Sequence, residues 1–261
     1  MLRALSTATT GMQAQEAKLD QVANDLANMN TTAFKRGRTE FQDLLYQNVK
    51  DPGGAEGQNQ VPVGVQVGSG AKVSAQYSIH EQGPVKITSG LFDLMINGDG
   101  FFAVQQPNGQ DAYTRDGSFK LDSTGRLVTS SGHLVIPEVT IPGGTAGVTI
   151  TPQGNVRILN SQGQESELTQ LKIVNFLNPG AMRQIGGNLM VATSASGAAT
   201  IGSPGENGLG SLQQGALEAS NVKPTEAIMD MITAQRAYES NARIMTVGDQ
   251  MWSATNQIGN R

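Results

Sequence analysis

Apolar residues near the N-terminus recur at every seventh position, which predicts a helix with a narrow apolar stripe. From Leu2 to about Asn30 the chain has no proline and a single glycine, Gly11, and it is rich in the helix formers Ala, Gln and Leu. One polar residue, Gln15, interrupts the repeat. We therefore predict a long N-terminal helix whose packing seam comprises Leu5, Met12, Leu19, Val22, Leu26 and Met29.

The C-terminal segment repeats this pattern after Pro224, a residue suited to the first turn of a helix. A helix from Pro224 to about Ile258 would be roughly 50 Å long at 1.5 Å per residue. Its predicted seam comprises Met231, Tyr238, Met245 and Trp252, with small residues at the alternate position, namely Ala227, Ala234, Asn241 and Gly248. A lone pair of helices, parallel or antiparallel, is marginal without partners. We therefore expect coiled-coil packing in which neighbouring copies cover the remaining surface.

Residues 76–212 show a third pattern, in which short runs of β-branched and apolar residues alternate with glycine turns. Such spacing predicts a central all-β domain, either a barrel or a sandwich. The turn dipeptides that carry this prediction are Asn97-Gly98, Asp99-Gly100, Asn108-Gly109, Asp116-Gly117 and Pro142-Gly143.

Residues 46–70 fit none of these patterns because they are polar and rich in glycine and proline. We expect an extended, hairpin-like excursion that is ordered mainly by neighbouring subunits. The predicted fold is therefore α+β in four segments. They are an N-terminal axial helix in 1–45, an extended inter-subunit segment in 46–75, the central β domain in 76–212 and a C-terminal axial helix in 213–261.

The amino-acid composition indicates that much of the surface forms contacts with other subunits. Charged residues make up 15% of the chain, against about 25% in an ordinary globular protein. A surface so poor in charge suits a subunit whose sides become contacts. The net charge of −4 and the lack of a basic stripe exclude nucleic acid as a partner. No run of about 18 apolar residues is present, so we predict no membrane span.

Candidate chemistry is sparse. The chain has no cysteine, and its two histidines, His80 and His133, lie far apart in the sequence. The run DLMINGDG lacks the alternating oxygen ligands and closing glutamate of a calcium loop. We therefore predict no catalytic, cofactor or metal site. The N-terminus also lacks the apolar stretch of about 7 to 15 residues that marks a cleaved secretory signal.

Three blocks of sequence, in order along the chain, carry a family resemblance. They are TGMQAQ through LDQVANDLANMNT and Phe34-Lys35, then DLMINGDGFF and YTRDG, and finally GALEASNV and TAQRAYE. The chain resembles the axial proteins of the bacterial flagellar rod and hook. Departures from the family pattern are Asp25 in place of Asn, Ala33 in place of Gly, and Lys223 in place of Asp. The motif positions carried over are Asn24, Asn28, Asn30, Phe34, Gly98, Gly100, Phe101, Arg115, Gly117, Asn221, Gln235 and Arg236.

The resemblance implies a structural, non-enzymatic subunit that polymerises with itself. Chain length and residues 46–75 favour the distal rod type, with a proximal rod protein as the alternative. Implied partners are proximal rod proteins, the hook protein, a rod cap, the bushing rings of the outer membrane and peptidoglycan, and the flagellar export apparatus. The implied location is the periplasmic rod of the basal body, reached by type III export without a cleaved signal.

Overall fold

The fold is seen in a computed structural model that describes residues 2–50, 55–56, 59–60, 64–160, 162 and 164–259. The chain divides into two compact units. The first is built from residues within Met1–Ala27, Gly37–Tyr77 and Lys223–Arg261, and the second from Asn28–Arg36 and Ser78–Val222. We call them the helical unit and the β unit.

The helical unit contains both predicted helices, α1 at Leu2–Ala27 and α2 at Pro224–Gly259. They pack against each other in antiparallel order. Lys18 Nζ lies 3.6 Å from Asp230 Oδ1 near one end of the pair, and the Thr9 hydroxyl lies 3.8 Å from the sulfur of Met245 towards the other. Of the two pairings that the sequence left open, the antiparallel one is therefore observed.

Small residues of α2 make this close approach possible. Ala227 and Ala234 are buried, and a Cβ added to Gly248 would lie 2.6 Å from a methyl carbon of Leu5. Asn241 approaches Gly11 in the same way. The small-residue stripe is thus where α2 approaches α1 most closely, and Met245 of the row of large side chains also contacts α1.

Two-stranded ribbons complete the helical unit. Strand β1 pairs with β6, β2 with β5, and β3 with β4, the last two pairs being antiparallel. The bounds are β1 Gly37–Asp43, β2 Gln47–Lys50, β3 Ala55–Glu56, β4 Asn59–Gln60, β5 Val65–Val67 and β6 Ala71–Ser78. Residues 51–54, 57–58 and 61–63 of the predicted excursion lie outside the described residues.

The β unit is built on a nine-stranded sheet with the order β11-β12-β13-β9-β10-β19-β18, to which β17 and β20 are added through β9. A three-stranded sheet, β14-β15-β16, and two pairs, β21-β8 and β22-β7, complete it. The strands before the three-stranded sheet are β7 Val85–Ile87, β8 Leu94–Asn97, β9 Phe101–Gln105, β10 Asp111–Thr114, β11 Lys120–Leu121, β12 Leu127–Val128 and β13 Leu134–Ile136. The others are β14 Thr145–Ile150, β15 Asn155–Asn160, β16 Glu165–Gln170, β17 Ile173–Asn175, β18 Arg183–Gly186, β19 Leu189–Val191, β20 Thr200–Gly202, β21 Ser211–Gln214 and β22 Ala216–Glu218.

Alternation along β9 gives this sheet two buried faces, because successive side chains of a strand point to opposite sides. Phe102 and Val104 enter a large core that includes Val148 and Ile158 of the three-stranded sheet. Phe101 and its neighbours enter a second core, whose members are Phe101, Ala103, Tyr113, Val174, Phe176, Met182 and Met190.

The barrel alternative for the β domain is wrong. Strand β9 uses one edge for both β13 and β17, and the order of the large sheet ends at β11 and β18, which do not pair with each other in the described part of the chain. Two open sheets that share a core form the β unit instead. Among the residues described, no helix combines the length and the apolar character needed to cross a membrane.

Candidate assembly site

A buried ion cluster lies within the β unit, and we call its members, Lys35, Arg115 and Glu218, the anchor cluster. Glu218 is 2% exposed and accepts hydrogen bonds from Lys35 Nζ at 2.5 Å and from Arg115 Nε at 2.9 Å. The backbone N–H of Gly83 donates to the same carboxylate at 2.8 Å. Three distant stretches of the chain therefore meet at one carboxylate.

The guanidinium of Arg115 also contacts the backbone of the glycine turns in the motif DLMINGDGFF. The guanidinium of Arg115 donates to the carbonyl oxygen of Gly100 at 2.7 Å and to that of Gly98 at 2.6 Å. Both glycines have positive φ, 109° at Gly98 and 137° at Gly100, a region that favours glycine. At Gly117 a Cβ would lie 1.7 Å from the carbonyl oxygen of Leu94. The motif glycines thus place backbone where a side chain would not fit.

Electrostatics favours the charged form of the Glu218 carboxylate. Burial alone would raise the pKa of Glu218, but the charges of Arg115 and Lys35 and their hydrogen bonds outweigh it and hold that pKa below its ordinary value. Burial lowers the pKa of Lys35, while Glu218 opposes the change. A buried carboxylate that pairs with two cations gives the cluster a definite geometry, and loss of one member would leave a buried charge without compensation.

Asn221 binds together the chain segments that enter and leave the β unit. Its Oδ1 accepts from the backbone N–H of Arg36 at 2.7 Å, and its Nδ2 donates to the carbonyl oxygens of Ile79 at 2.9 Å and Glu81 at 3.1 Å. Its own backbone N–H donates to the carbonyl oxygen of Phe34 at 3.3 Å. One side-chain amide therefore joins three segments that are far apart in the sequence.

In the helical unit, Asp25 has a comparable role. This carboxylate is 7% exposed, and it accepts from Gln21 Nε2 at 2.9 Å and from the backbone N–H of Gly37 at 3.0 Å. The side chain therefore ties the last turn of α1 to the first residue of β1.

The predicted seam of α1 is half-buried for the most part in a single chain. Val22 is buried, whereas Met29, beyond the end of α1, is exposed. The intermediate members are Leu5, Met12, Leu19 and Leu26.

The predicted seam of α2 lies beside the small-residue stripe. Met231 and Met245 are half-buried, and Tyr238 and Trp252 are exposed. Further large apolar side chains of α2 are exposed on its other sides. We call the whole set the exposed α2 face, and it consists of Ile228, Met229, Ile232, Tyr238, Ile244, Val247, Met251 and Trp252.

The structure divides the family-motif residues into two groups. One group surrounds the anchor cluster or the Asn221 contacts, and it consists of Phe34, Gly98, Gly100, Phe101, Arg115, Gly117 and Asn221. The other group lies on or just beyond the helices, where Asn28 is half-buried and the remaining members, Asn24, Asn30, Gln235 and Arg236, are exposed.

Three residues of structural importance were not among the predicted site residues, namely Lys35, Glu218 and Asp25. Lys35 and Glu218 occur in the quoted motifs, at the end of one block and within another. The available signal was the presence of a lysine and a glutamate in these blocks, since such residues are almost never fully buried unless they are paired. Which residues pair could not be read from the sequence, because Lys35 and Glu218 are 183 positions apart.

Comparison with family profiles gives three matches that follow each other along the chain. The profile described as flagella basal body rod protein matches residues 5–35, and the flagellar hook protein FlgE/F/G D1 domain matches residues 95–158. The flagellar basal body rod FlgEFG protein C-terminal profile matches residues 213–258. The outer two matches include Lys35 and Glu218, and the middle one includes Arg115.

Full-length relatives agree with these matches. The chain is 45% identical to the flagellar basal-body rod protein FlgG of Caulobacter vibrioides, covering 98% of this chain and 99% of the relative. It is 44% identical to FlgG of Borreliella burgdorferi, with 99% of both chains covered. FlgG of Bacillus subtilis is 36% identical, over 96% of this chain and 97% of the relative.

Proposed function

Since the chain belongs to the flagellar basal-body rod protein family, we propose that its copies polymerise into a hollow shaft that transmits motor torque to the hook and leaves a channel for export. It is a structural subunit of the distal rod of the basal body. The role is mechanical and needs no catalysis, cofactor or metal.

The exposed α2 face is the observation that carries this proposal. Each of its eight large apolar side chains is between 39% and 68% exposed in the single chain. Full burial of such a side chain contributes about 1.5–3 kcal/mol. A concentration of exposed large apolar side chains on one element marks a surface that contacts another protein. Because α1 covers the small-residue stripe and contacts Met245 but leaves these eight side chains exposed, neighbouring subunits are the natural source of the remaining cover.

Repetition of one contact between different surfaces of identical subunits produces an open helix, not a closed ring. In this proposal the helices of successive subunits form an inner coiled-coil layer that includes the two predicted seams, and the β unit forms the outer wall. Residues 46–75 reach adjacent subunits and stiffen the shaft.

The family also supports association with other rod and hook components. We propose contacts with proximal rod proteins, the hook protein, a rod cap and the bushing rings of the peptidoglycan and outer membrane. The periplasmic location, and delivery by the flagellar export apparatus without a cleaved signal, are parts of the same proposal.

Replacing Ile232 with lysine tests the exposed α2 face directly. This side chain is 44% exposed and lies away from the small-residue stripe, so Ile232→Lys should leave the α1–α2 contact intact. In a polymer, burial of an unpaired ammonium costs several kcal/mol at every subunit. We expect the concentration required for polymerisation, measured by sedimentation and electron microscopy, to rise at least about tenfold.

A matched control is available in the β unit. Ile185 is 42% exposed on β18, so Ile185→Lys makes the same chemical change at nearly the same exposure. The control should polymerise like the unmodified chain, and neither variant should change the melting of the unpolymerised protein. Normal polymerisation of Ile232→Lys would contradict the assembly role of α2.

A further inference from the structure

An open pocket of about 540 Å³ lies on the β unit beside the second core. Phe101 and Phe176 belong to that core and also line the pocket, with ring centroids 6.1 Å apart. Leu177 and Ile201, which also line it, are 96% and 64% exposed. A pocket with such protruding apolar side chains at its edge is typical of a surface that contacts another protein.

Six polar side chains also line the pocket, those of His80, Asp99, Arg115, Asn175, Thr200 and Asn207. Asp99 and Asn207 line it and offer oxygen acceptors. His80 also lines the pocket and packs edge-on against Phe101, with ring centroids 5.5 Å apart. Burial, together with the charges of Lys35 and Arg115, lowers the pKa of His80 to about 4, so the imidazole is neutral at pH 7. The pocket therefore combines apolar and polar lining, which suits a side chain that has an apolar body and a polar end.

The helical unit displays a matching apolar projection at Leu45 and Tyr46. Leu45 is 89% exposed and Tyr46 is 56% exposed. The backbone around them is nevertheless fixed. Leu44 N–H donates to the carbonyl oxygen of Gly70 at 2.8 Å, and the Ser69 hydroxyl donates to the carbonyl oxygen of Leu45 at 2.8 Å.

This projection is also supported by α1. A Cβ at Gly70 would collide with the hydroxyl of Thr10 on α1, which shows how closely the ribbon lies against the helix. The ring of Tyr46 lies beside Gly68, with a ring carbon 3.4 Å from where a Cβ would be. Two apolar side chains are thus held in water on an ordered backbone, an arrangement that lowers the entropy lost on binding.

We propose that Leu45 and Tyr46 of one subunit insert into the pocket formed by Phe101, Phe176, Leu177 and Ile201 of another copy of this chain. The inference rests on the proposed polymerisation and names one of its contacts. The leucine and the body of the tyrosine fill the apolar part, and the phenol finds an acceptor at Asp99 or Asn207. A buried tyrosine needs such a partner.

The geometry of the contact agrees with an open polymer. The projection and the pocket are different surfaces of the same chain, so their pairing is heterologous and leaves one free projection and one free pocket at opposite ends of any assembly. Each added subunit repeats the contact. A volume of about 540 Å³ also falls within the range of about 300–1,000 Å³ found for small-molecule sites, so a small ligand is the alternative occupant.

Disulfide trapping tests the contact, because the chain contains no cysteine of its own. Tyr46→Cys and Ile201→Cys variants, one of them carrying a tag, are mixed, polymerised and oxidised. We expect a disulfide between the two variants in the polymer at least about tenfold above that in the unpolymerised mixture. The control pair replaces Ile201→Cys with Ile87→Cys, at a position that is 83% exposed and outside the pocket, and it should give no enrichment.

A second variant separates binding from folding. Leu45→Ala combined with Tyr46→Ala should raise the concentration needed for polymerisation about tenfold and leave the melting of the unpolymerised chain unchanged. Polymers that form normally with this variant, or show no selective disulfide, would overturn the inference and indicate a small ligand or another component in the pocket. Failure of the unmodified chain to polymerise would instead contradict the proposed function itself.

Discussion

The helical unit and the β unit differ in how far they bury their large apolar side chains. In the β unit, β9 sends Phe102 into one core and Phe101 into another, and both side chains are almost fully buried. In the helical unit, α2 buries Ala227 and Ala234, and it leaves larger side chains such as Trp252 exposed. The β unit therefore encloses large apolar side chains in its own cores, whereas α2 leaves many of them exposed.

Two ion pairs, one in each unit, also differ in burial, the pair in the β unit being buried and the pair in the helical unit exposed. The anchor cluster of the β unit is buried, with Glu218 and Lys35 2% and 5% exposed. The ion pair between α1 and α2, Lys18 with Asp230, has side chains that are 33% and 57% exposed. Exposed pairs contribute little to stability, but breaking a buried pair is costly. Electrostatic specificity is thus concentrated in the β unit.

The largest expected effect comes from removing the centre of the anchor cluster. Glu218→Ala leaves the cations of Lys35 and Arg115 buried without their carboxylate, and such losses cost about 3–5 kcal/mol. We expect the urea midpoint of the β unit to fall accordingly. The near-ultraviolet circular dichroism of the buried aromatic cluster around Tyr113 reports on this unit.

The helical unit supplies the matched control. Asp230→Ala removes the carboxylate of the exposed pair with Lys18 and should cost less than about 1 kcal/mol. The only tryptophan of the chain, Trp252, lies on α2, so its fluorescence follows the helical unit separately. Equal losses from Glu218→Ala and Asp230→Ala would contradict the difference between the units.

Local patterns were sufficient to predict the helices. Pro224 marks the first residue of α2 as observed, and the small residues Ala227, Ala234 and Gly248 follow the seven-residue spacing that places them against α1. The predicted seam of α2 consisted of the large side chains at the other heptad position. The heptad spacing does not show which of the two rows faces α1, because both rows have the same period. Close packing of the two helix backbones favours the row of small residues.

Long-range pairing limited what could be predicted of the β unit. Turn dipeptides such as Asn108-Gly109 located its hairpin between β9 and β10, but strand order depends on contacts such as Val174 with Phe101, which are far apart in the chain. For the same reason the motif positions Arg115 and Asn221 were found without their partners. Resemblance identified these residues, and only the three-dimensional structure shows what they bind.

Lowering the pH should reduce the free energy of unfolding of the β unit by less than Glu218→Ala does. The pKa of His80 is about 4 in the folded chain against an ordinary value of 6.5, so the unfolded chain binds more protons between these values. Stability is therefore complete above about pH 6.5 and falls as the pH is lowered towards 4. We expect a loss of about 2 kcal/mol in the free energy of unfolding between pH 7 and pH 5.

His80→Gln should abolish most of this slope, since no proton is then taken up at that position on unfolding. The carboxylate of Glu218 does not contribute appreciably to the slope of stability between pH 7 and pH 5. Its ordinary pKa is 4.5 and its folded pKa lies lower still, so the stability it contributes is lost only at more acidic pH. Urea titrations at pH 7, 6 and 5 measure the slope. A variant that keeps the full pH dependence would show that another group is responsible.

The smallest expected effect concerns Ala33, which has φ of +57° where the family pattern has glycine. A left-handed conformation costs an alanine about 1–2 kcal/mol, and glycine avoids this cost but loses about 0.5–1 kcal/mol through its greater freedom when unfolded. Loss of the buried methyl offsets part of the gain, so Ala33→Gly should stabilise the β unit by no more than about 1 kcal/mol. Ala112 is also buried, but it lies in β10 without positive φ, so Ala112→Gly should destabilise by about 1 kcal/mol. Urea midpoints of the two variants should therefore move in opposite directions, and a fall of equal size in both would show that Ala33 is not strained.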